Sequence, residues 1–309
     1  NVVGNYNLSG KNITHNTAAT SSSGSITISP SGTFSSTGAL TANGGPISIS
    51  GGSSIAPTAA ILASGNVTLS GSGAFTNSGA TITTSSTGSV SVSGSSVTQS
   101  AAINAVGPVV LTATDASSDL TVGANITVSG SGNSVSLTSR RNVVQNAFAV
   151  SVQGGPVIYR SDSDATGGGG IQVLRGGSIT TNGGNLTLSG GLDTSTGFAK
   201  GLPGSSFRGI NIEGALSTGI GDVFMRGENA TVGAGAINTY WGAGVAFTAG
   251  SSLVTTSGDI LITGRTGTDS AETIHRYVGV MIGMNLFNGT LQAGYTCHLY
   301  TSPSPRERG

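Results

Sequence analysis

Short runs in which apolar and small polar residues alternate recur along the whole chain. They read SITIS at residues 25–29, PISISG at 46–51, NVTLSG at 66–71, SVSVSG at 89–94, PVVLTA at 108–113 and SVSLTS at 134–139. Their starts fall 21, 20, 23, 19 and 26 residues apart, and PVIYRS at 156–161 follows 22 later. A period of two is that of a short strand with one buried face. Ile26 and Ile28, or Val67 and Leu69, would point inward, and the intervening Ser and Thr would stay wet. Weaker alternating partners lie between the runs, as at residues 73–84 and 119–130. Two or three strands of about four residues, joined by tight turns, make one rung of a parallel β-helix of about 20 residues. Gly and Asn at the corners are expected to supply positive φ. No amphipathic helix is visible, so the predicted class is all-β.

The second half keeps the pattern but stretches the period. GNLTLSG at residues 184–190, GDVFMRG at 221–227 and GDILITG at 258–264 place Asn185, Asp222 and Asp259 at successive intervals of 37 residues. The added length sits at one phase of each repeat, in residues 191–208, 228–243 and 265–278. Insertions at one phase of a solenoid emerge on one face. The expected organisation is one continuous solenoid, with a low-charge stalk over residues 1–139 and a section with longer loops over 140–296.

Composition narrows the function classes. Of 309 residues 52 are Gly, only 8% are charged, and the formal net charge is zero. A balanced chain lacks the basic stripe that nucleic acid requires. No apolar run approaches the roughly 20 residues of a membrane helix. Asn1 opens directly into repeat-like sequence, which reads as an internal piece of a longer chain. The tail, residues 297–309, breaks the pattern with two prolines and three charges. Its stretch LYTSPSPR resembles translated sequencing-adapter read-through, so residues 297–309 are read as a non-native tail. Cys297, the one Cys, belongs to it.

Candidate chemistry is sparse. His15 lies in polar sequence without an acidic neighbour and reads as a solvated loop residue. Asp162 and Asp164 supply too few oxygens for calcium, which takes six to eight, and the solenoid calcium nonapeptide is absent. Asp222 and Asp259 would stack in register like paired catalytic carboxylates. Asn185 fills the same slot, which favours a turn role in which an Asx side chain bonds local backbone. Residues 167–170, four glycines, lack the Lys-Ser/Thr ending of a phosphate loop. Neither catalytic set nor cofactor is expected. The inserts hold the remaining recognition chemistry: Tyr240 and Trp241 in the second, and Arg265, His275, Arg276 and Tyr277 in the third. Phe198 and Phe207 lie in the first. Aromatics beside Arg suit sugar stacking or a protein anchor.

One run has a specific resemblance. GGPVIYRSDSDATGGGGIQVLRGGSITTNGGNLTLSGG at residues 154–191 resembles the repeats of filamentous-haemagglutinin-like and autotransporter passenger adhesins of Gram-negative bacteria. The likeness extends over most of residues 140–294. It implies a right-handed parallel β-helix, export to the cell surface with an outer-membrane secretion partner, and a part in attachment to glycans or surface proteins. The expectation is therefore a non-enzymatic fragment of a large secreted fibre. The alternative is a β-helix enzyme acting on polysaccharide, which needs carboxylates gathered in one groove, or another polysaccharide-binding surface protein.

Overall fold

The computed structural model describes residues 1–202, 208–230, 243–248, 250–265, 278–282, 290–292 and 297–301, the last three segments as backbone. The chain coils through three sheets in a fixed order and returns to the first. One turn is Ile26–Pro30, Thr33–Ser36 and Leu40–Ala42; the next is Ile47–Ser50, Ser54–Pro57 and Ile61–Ala63. Every named strand pair is parallel, each strand with its equivalents one turn away. Among the described residues the first sheet has 13 strands and the other two have 11 each. This is a parallel β-helix, with no helix among the described residues.

The alternation decides what lies inside. Ile26, Ile28, Val67 and Leu69 are fully buried, as the pattern predicts. In register they form columns: Ile26, Ile47, Val67, Val90 and Val109 on one line, and Ile28, Ile49, Leu69, Val92 and Leu111 on the next. Each buried Val, Leu or Ile contributes about 1.5–3 kcal/mol over exposure. No turn can close its own apolar interior, so each depends on the turns above and below.

The first-sheet register repeats the spacing of the sequence phrases. The lengthening is stepwise: Val157 pairs with Leu186, 29 residues on. Leu186 then pairs with Val223, and Val223 with Ile260, 37 residues each time. The added length lies between first-sheet and second-sheet strands, after Val157–Ser161, Leu186–Gly190, Val223–Glu228 and Ile260–Arg265. The first sheet runs without interruption across residues 139 and 140.

The tail behaves differently from its composition. Cys297–Thr301 continues the first sheet, with Cys297 opposite Ile260, 37 residues away. The edge of the last full turn offers unpaired N–H and C=O groups, which read only an extended backbone. A stretch set aside as foreign thus supplies one strand at the phase of the repeat.

The glycines that open the long phrases have a different role from the one expected. None of Gly184, Gly221 and Gly258 has positive φ. They stack: a Cβ on Gly221 would run into the carbonyl of Gly184, and one on Gly258 into that of Gly221. Backbones pass too closely there for any side chain. Positive φ occurs elsewhere, at Asn182 and Gly183 for example.

Buried polar side chains close two of the corners. Gln99 and Gln145 end second-sheet strands in an inward phase, Asn77 directly follows the strand Ala74–Thr76 in the same phase, and all three are fully buried. Asn77 Nδ2 donates to the Ala80 and Ala101 carbonyls at 3.1 and 3.0 Å, and its Oδ1 accepts from Ser100 N at 2.8 Å. Gln145 Nε2 donates to Phe148 O and Ser178 O at 2.7 and 2.9 Å. Its Oε1 accepts from the Tyr159 hydroxyl at 2.7 Å, across the interior. At the third-to-first corner, Thr255 Oγ1 donates to Gly219 O at 2.8 Å and accepts from Gly258 N at 2.9 Å. Turns that would otherwise orphan backbone groups in a dry core are satisfied in this way.

A double-mutant cycle tests that account. Val122 and Val173 occupy the Gln145 position in adjacent turns, so Gln145→Val fits sterically. It should cost about 1–3 kcal/mol for each buried group left unpaired. Adding Tyr159→Phe should recover part of that loss in urea unfolding. Additive losses would show that the Gln145–Tyr159 bond does not couple the two positions.

Candidate functional site

The corner between the first and second sheets gathers most of the charge of the described chain. Its first long loop turns around Asp162, at φ 47°, with Ala165 and Gly168 also at positive φ. The buried Asp162 carboxylate accepts from Gly168 N at 2.9 Å. Burial raises its pKa above the ordinary aspartate value; the Gly168 and Gly167 N–H groups oppose the shift, and the Asp164 charge adds to it. Asp164 faces Arg140 at 3.9 Å, and Asp119 faces Arg141 at 3.6 Å.

The first insert lies back on the barrel a little further along. Its residues Ala199–Lys200 form a short strand paired with Gly227 and Glu228. Glu228 sits between two cations, Lys200 at 3.8 Å and Arg265 at 3.3 Å. The Arg265 guanidinium stacks on the Phe198 ring, 3.3 Å from its centroid. Partly exposed ion pairs contribute only about 0–1 kcal/mol each, and an exposed cation–π pair about 0.5–1 kcal/mol. The cluster therefore sets the position of the insert more than it adds to stability.

Of the residues expected to bind a ligand, only Arg265 lies among the described residues. The structure engages it with Glu228 and Phe198, so it pins one insert to the next turn. Tyr240, Trp241, His275, Arg276 and Tyr277 lie outside the described residues, as does Phe207.

His15 is not a solvated loop residue. It ends the second-sheet strand Ile13–His15, is 7% exposed, and meets Tyr6 edge-on with ring centroids 6.2 Å apart. The triplet Ile-Thr-His repeats the apolar–any–polar form of the strands ending in Gln99 and Gln145. That phase was the signal that it points inward.

Asp222 and Asp259 form a ladder with Asn185. Asn185 Oδ1 accepts from Asp222 N at 2.9 Å, and Asp222 Oδ1 accepts from Asp259 N at 2.9 Å. The bond runs one turn up the solenoid, where a local Asx turn was expected. Asn66 does the same to Ser89 N at 3.0 Å, and Asn5 to Ser25 N at 3.0 Å. The slot accepts amide or carboxylate because only an acceptor oxygen is needed. Among the described residues, no three His, Cys, Asp or Glu side chains gather where they would hold a metal ion. No family model, curated protein or solved structure matches the chain.

Two outcomes check these assignments. Asp222→Asn should leave stability unchanged, since an amide oxygen does the same work at Asn185. Asp222→Ala should lower it by about 0.5–1.5 kcal/mol in chemical denaturation; equal effects of Asn and Ala would remove the ladder account. For Asp162 the folded-state pKa is raised, so the folded state holds the proton more tightly. Stability must fall as pH rises from the ordinary aspartate range through the folded pKa. Asp162→Asn should lose that component: melting temperatures that match wild type at low pH should exceed it above the window. A parallel pair of pH profiles would refute the assignment.

Proposed function

We propose that this chain is part of a secreted bacterial surface fibre, a non-enzymatic scaffold that carries contact loops along one edge. The observation that carries the reading is the placement of length. Turns of about 20 residues and turns of 37 share the same ladders, and the increase lies at the corner between first and second sheets. A solenoid of this kind separates two tasks: the sheets keep the axis, and one corner varies without disturbing it. Zero net charge and a Ser/Thr exterior suit a long exposed fibre.

The likeness of residues 154–191 to filamentous-haemagglutinin-like and autotransporter repeats supports a place outside the cell, at the bacterial surface, reached with an outer-membrane secretion partner. The partners in contact would be glycans or surface proteins. The polysaccharide-degrading alternative requires carboxylates free to act on substrate. Asp222 Oδ1 instead accepts from the next turn's backbone, which supports the scaffold reading.

Two measurements test it. Expressed with its flanking gene sequence in a Gram-negative host, the segment should be accessible to antibody and to added protease on intact cells; purely internal retention would sink the localisation. Tyr240→Ala/Trp241→Ala should lower adhesion to a glycan or host-matrix array by about tenfold or more, as loss of a buried aromatic anchor does. Unchanged adhesion would remove the second insert from the contact surface.

A further inference from the structure

The outward face of the first sheet changes character along its length. In early turns its outward residues are small hydroxyls, such as Thr27, Ser48, Thr68 and Ser91. At Val223–Glu228 the outward positions become Phe224 and Arg226. Thr187 lies next to Phe224, one turn earlier in the same column. Over these three residues folds the start of the first insert. Thr194 and Ser195 wall a shallow cleft of about 250 Å³, whose other sides are Thr187, Phe224 and Arg226.

The wall is held in place. Arg160 Nε donates to Gly191 O at 2.8 Å, and its Nη2 donates to Leu192 O at 2.6 Å and Ser163 O at 3.1 Å. Asp193 then closes the loop on itself, accepting from Ser195 N at 2.8 Å and from Ser195 Oγ at 2.9 Å. Gly197 N donates to the Asp193 carbonyl at 2.7 Å. Asp193, the nearby acid, is thus committed to its own turn. The Arg226 side chain makes no hydrogen bond or ion pair with any described residue. A half-buried guanidinium with open donors stands beside an aromatic face and three hydroxyls, on a rigid floor.

We propose that this cleft binds a single carboxylate-bearing sugar ring of the hexuronic acid class, presented by an acidic glycan. The planar fork of Arg226 matches a carboxylate in bidentate fashion, which a neutral group does not reproduce. Phe224 covers the apolar C–H face of a pyranose. Thr187 and Thr194 exchange hydrogen bonds with its hydroxyls, and Ser195 Oγ, whose proton goes to Asp193, accepts one. The cleft is smaller than the roughly 300–1,000 Å³ of sites for larger ligands, so it takes one ring. Affinity for that ring alone is on the order of 1 mM. Many copies on neighbouring fibres raise the effective strength on a polymeric glycan by about 10²–10⁴. The proposal sharpens the glycan side of the function above and rests on that reading for its biological setting, whereas the binding itself does not depend on export.

The test titrates the purified chain with glucuronic and galacturonic acid, using calorimetry and saturation-transfer NMR. Glucose, galactose, acetate and an acidic peptide serve as comparators. The uronates should bind with a dissociation constant of about 1 mM, with transfer to their ring C–H protons. Neutral sugars and acetate should bind about tenfold or more weakly. Arg226→Gln and Phe224→Ala should each lose about tenfold or more, and Arg226→Lys should lose less because it keeps the charge without the fork. Circular dichroism and melting should be unchanged, since both side chains face outward; a destabilised Phe224→Ala leaves Arg226→Gln as the deciding variant. Binding unaffected by Arg226→Gln, or glucose, acetate or the peptide binding as well as the uronates, would overturn the proposal. Uronate binding by a chain that fails to reach the cell surface would keep the site and discard the fibre. A displayed chain that ignores uronates would do the reverse.

Discussion

The vertical pairing of each strand with its equivalent one turn away governs the rest of this molecule. Parallel ladders fix the rise per turn at the inter-strand distance, about 4.8 Å. Any residue placed inward is then in contact with the same position above and below. That is why Ile26, Ile47 and Val67 form a column, and why the inward residue must be apolar or bring its own hydrogen bonds. It is also why glycine is required at Gly184, Gly221 and Gly258, where successive backbones pass within a side chain's width.

The same constraint sorts polar residues by phase. Outward Ser and Thr are interchangeable with water at their backs. Inward Asn77, Gln99 and Gln145 each serve backbone groups at a corner that the ladder cannot reach. Asn185 and Asp222 lie outside the core but use the ladder too, handing an acceptor to the turn above. Stability is spread over many equivalent small contacts. Most of the charge of the described residues lies at the corner where the chain leaves the first sheet, and there it positions loops.

The fold was legible because its signal is repeated. A single alternating run such as residues 25–29 is weak, but seven of them at nearly constant spacing leave little else to build. The register followed directly, since each phrase pairs with the next. The corner chemistry was harder. The direction of the Asp222 bond depends on a neighbour 37 residues away, and sequence distance conceals it. His15, Gln99 and Gln145 were readable in principle, because each falls two positions after an inward apolar residue. Arg265 looked like a free recognition residue because its partners, Phe198 and Glu228, belong to other turns. The Phe224–Arg226 cleft needed the path of a loop from the preceding turn, which no local pattern records.

The ladders have a mechanical consequence. Their hydrogen bonds run along the solenoid axis, so a pull on the two ends loads them in line. Bonds loaded that way open one turn at a time, as a zipper does, with no need for a whole sheet to shear. Each short turn would release about 20 residues, or roughly 70 Å of extended chain; each 37-residue turn would release roughly 125 Å. Under tension such a rod yields by lengthening at low force from its ends, and its remaining turns stay folded.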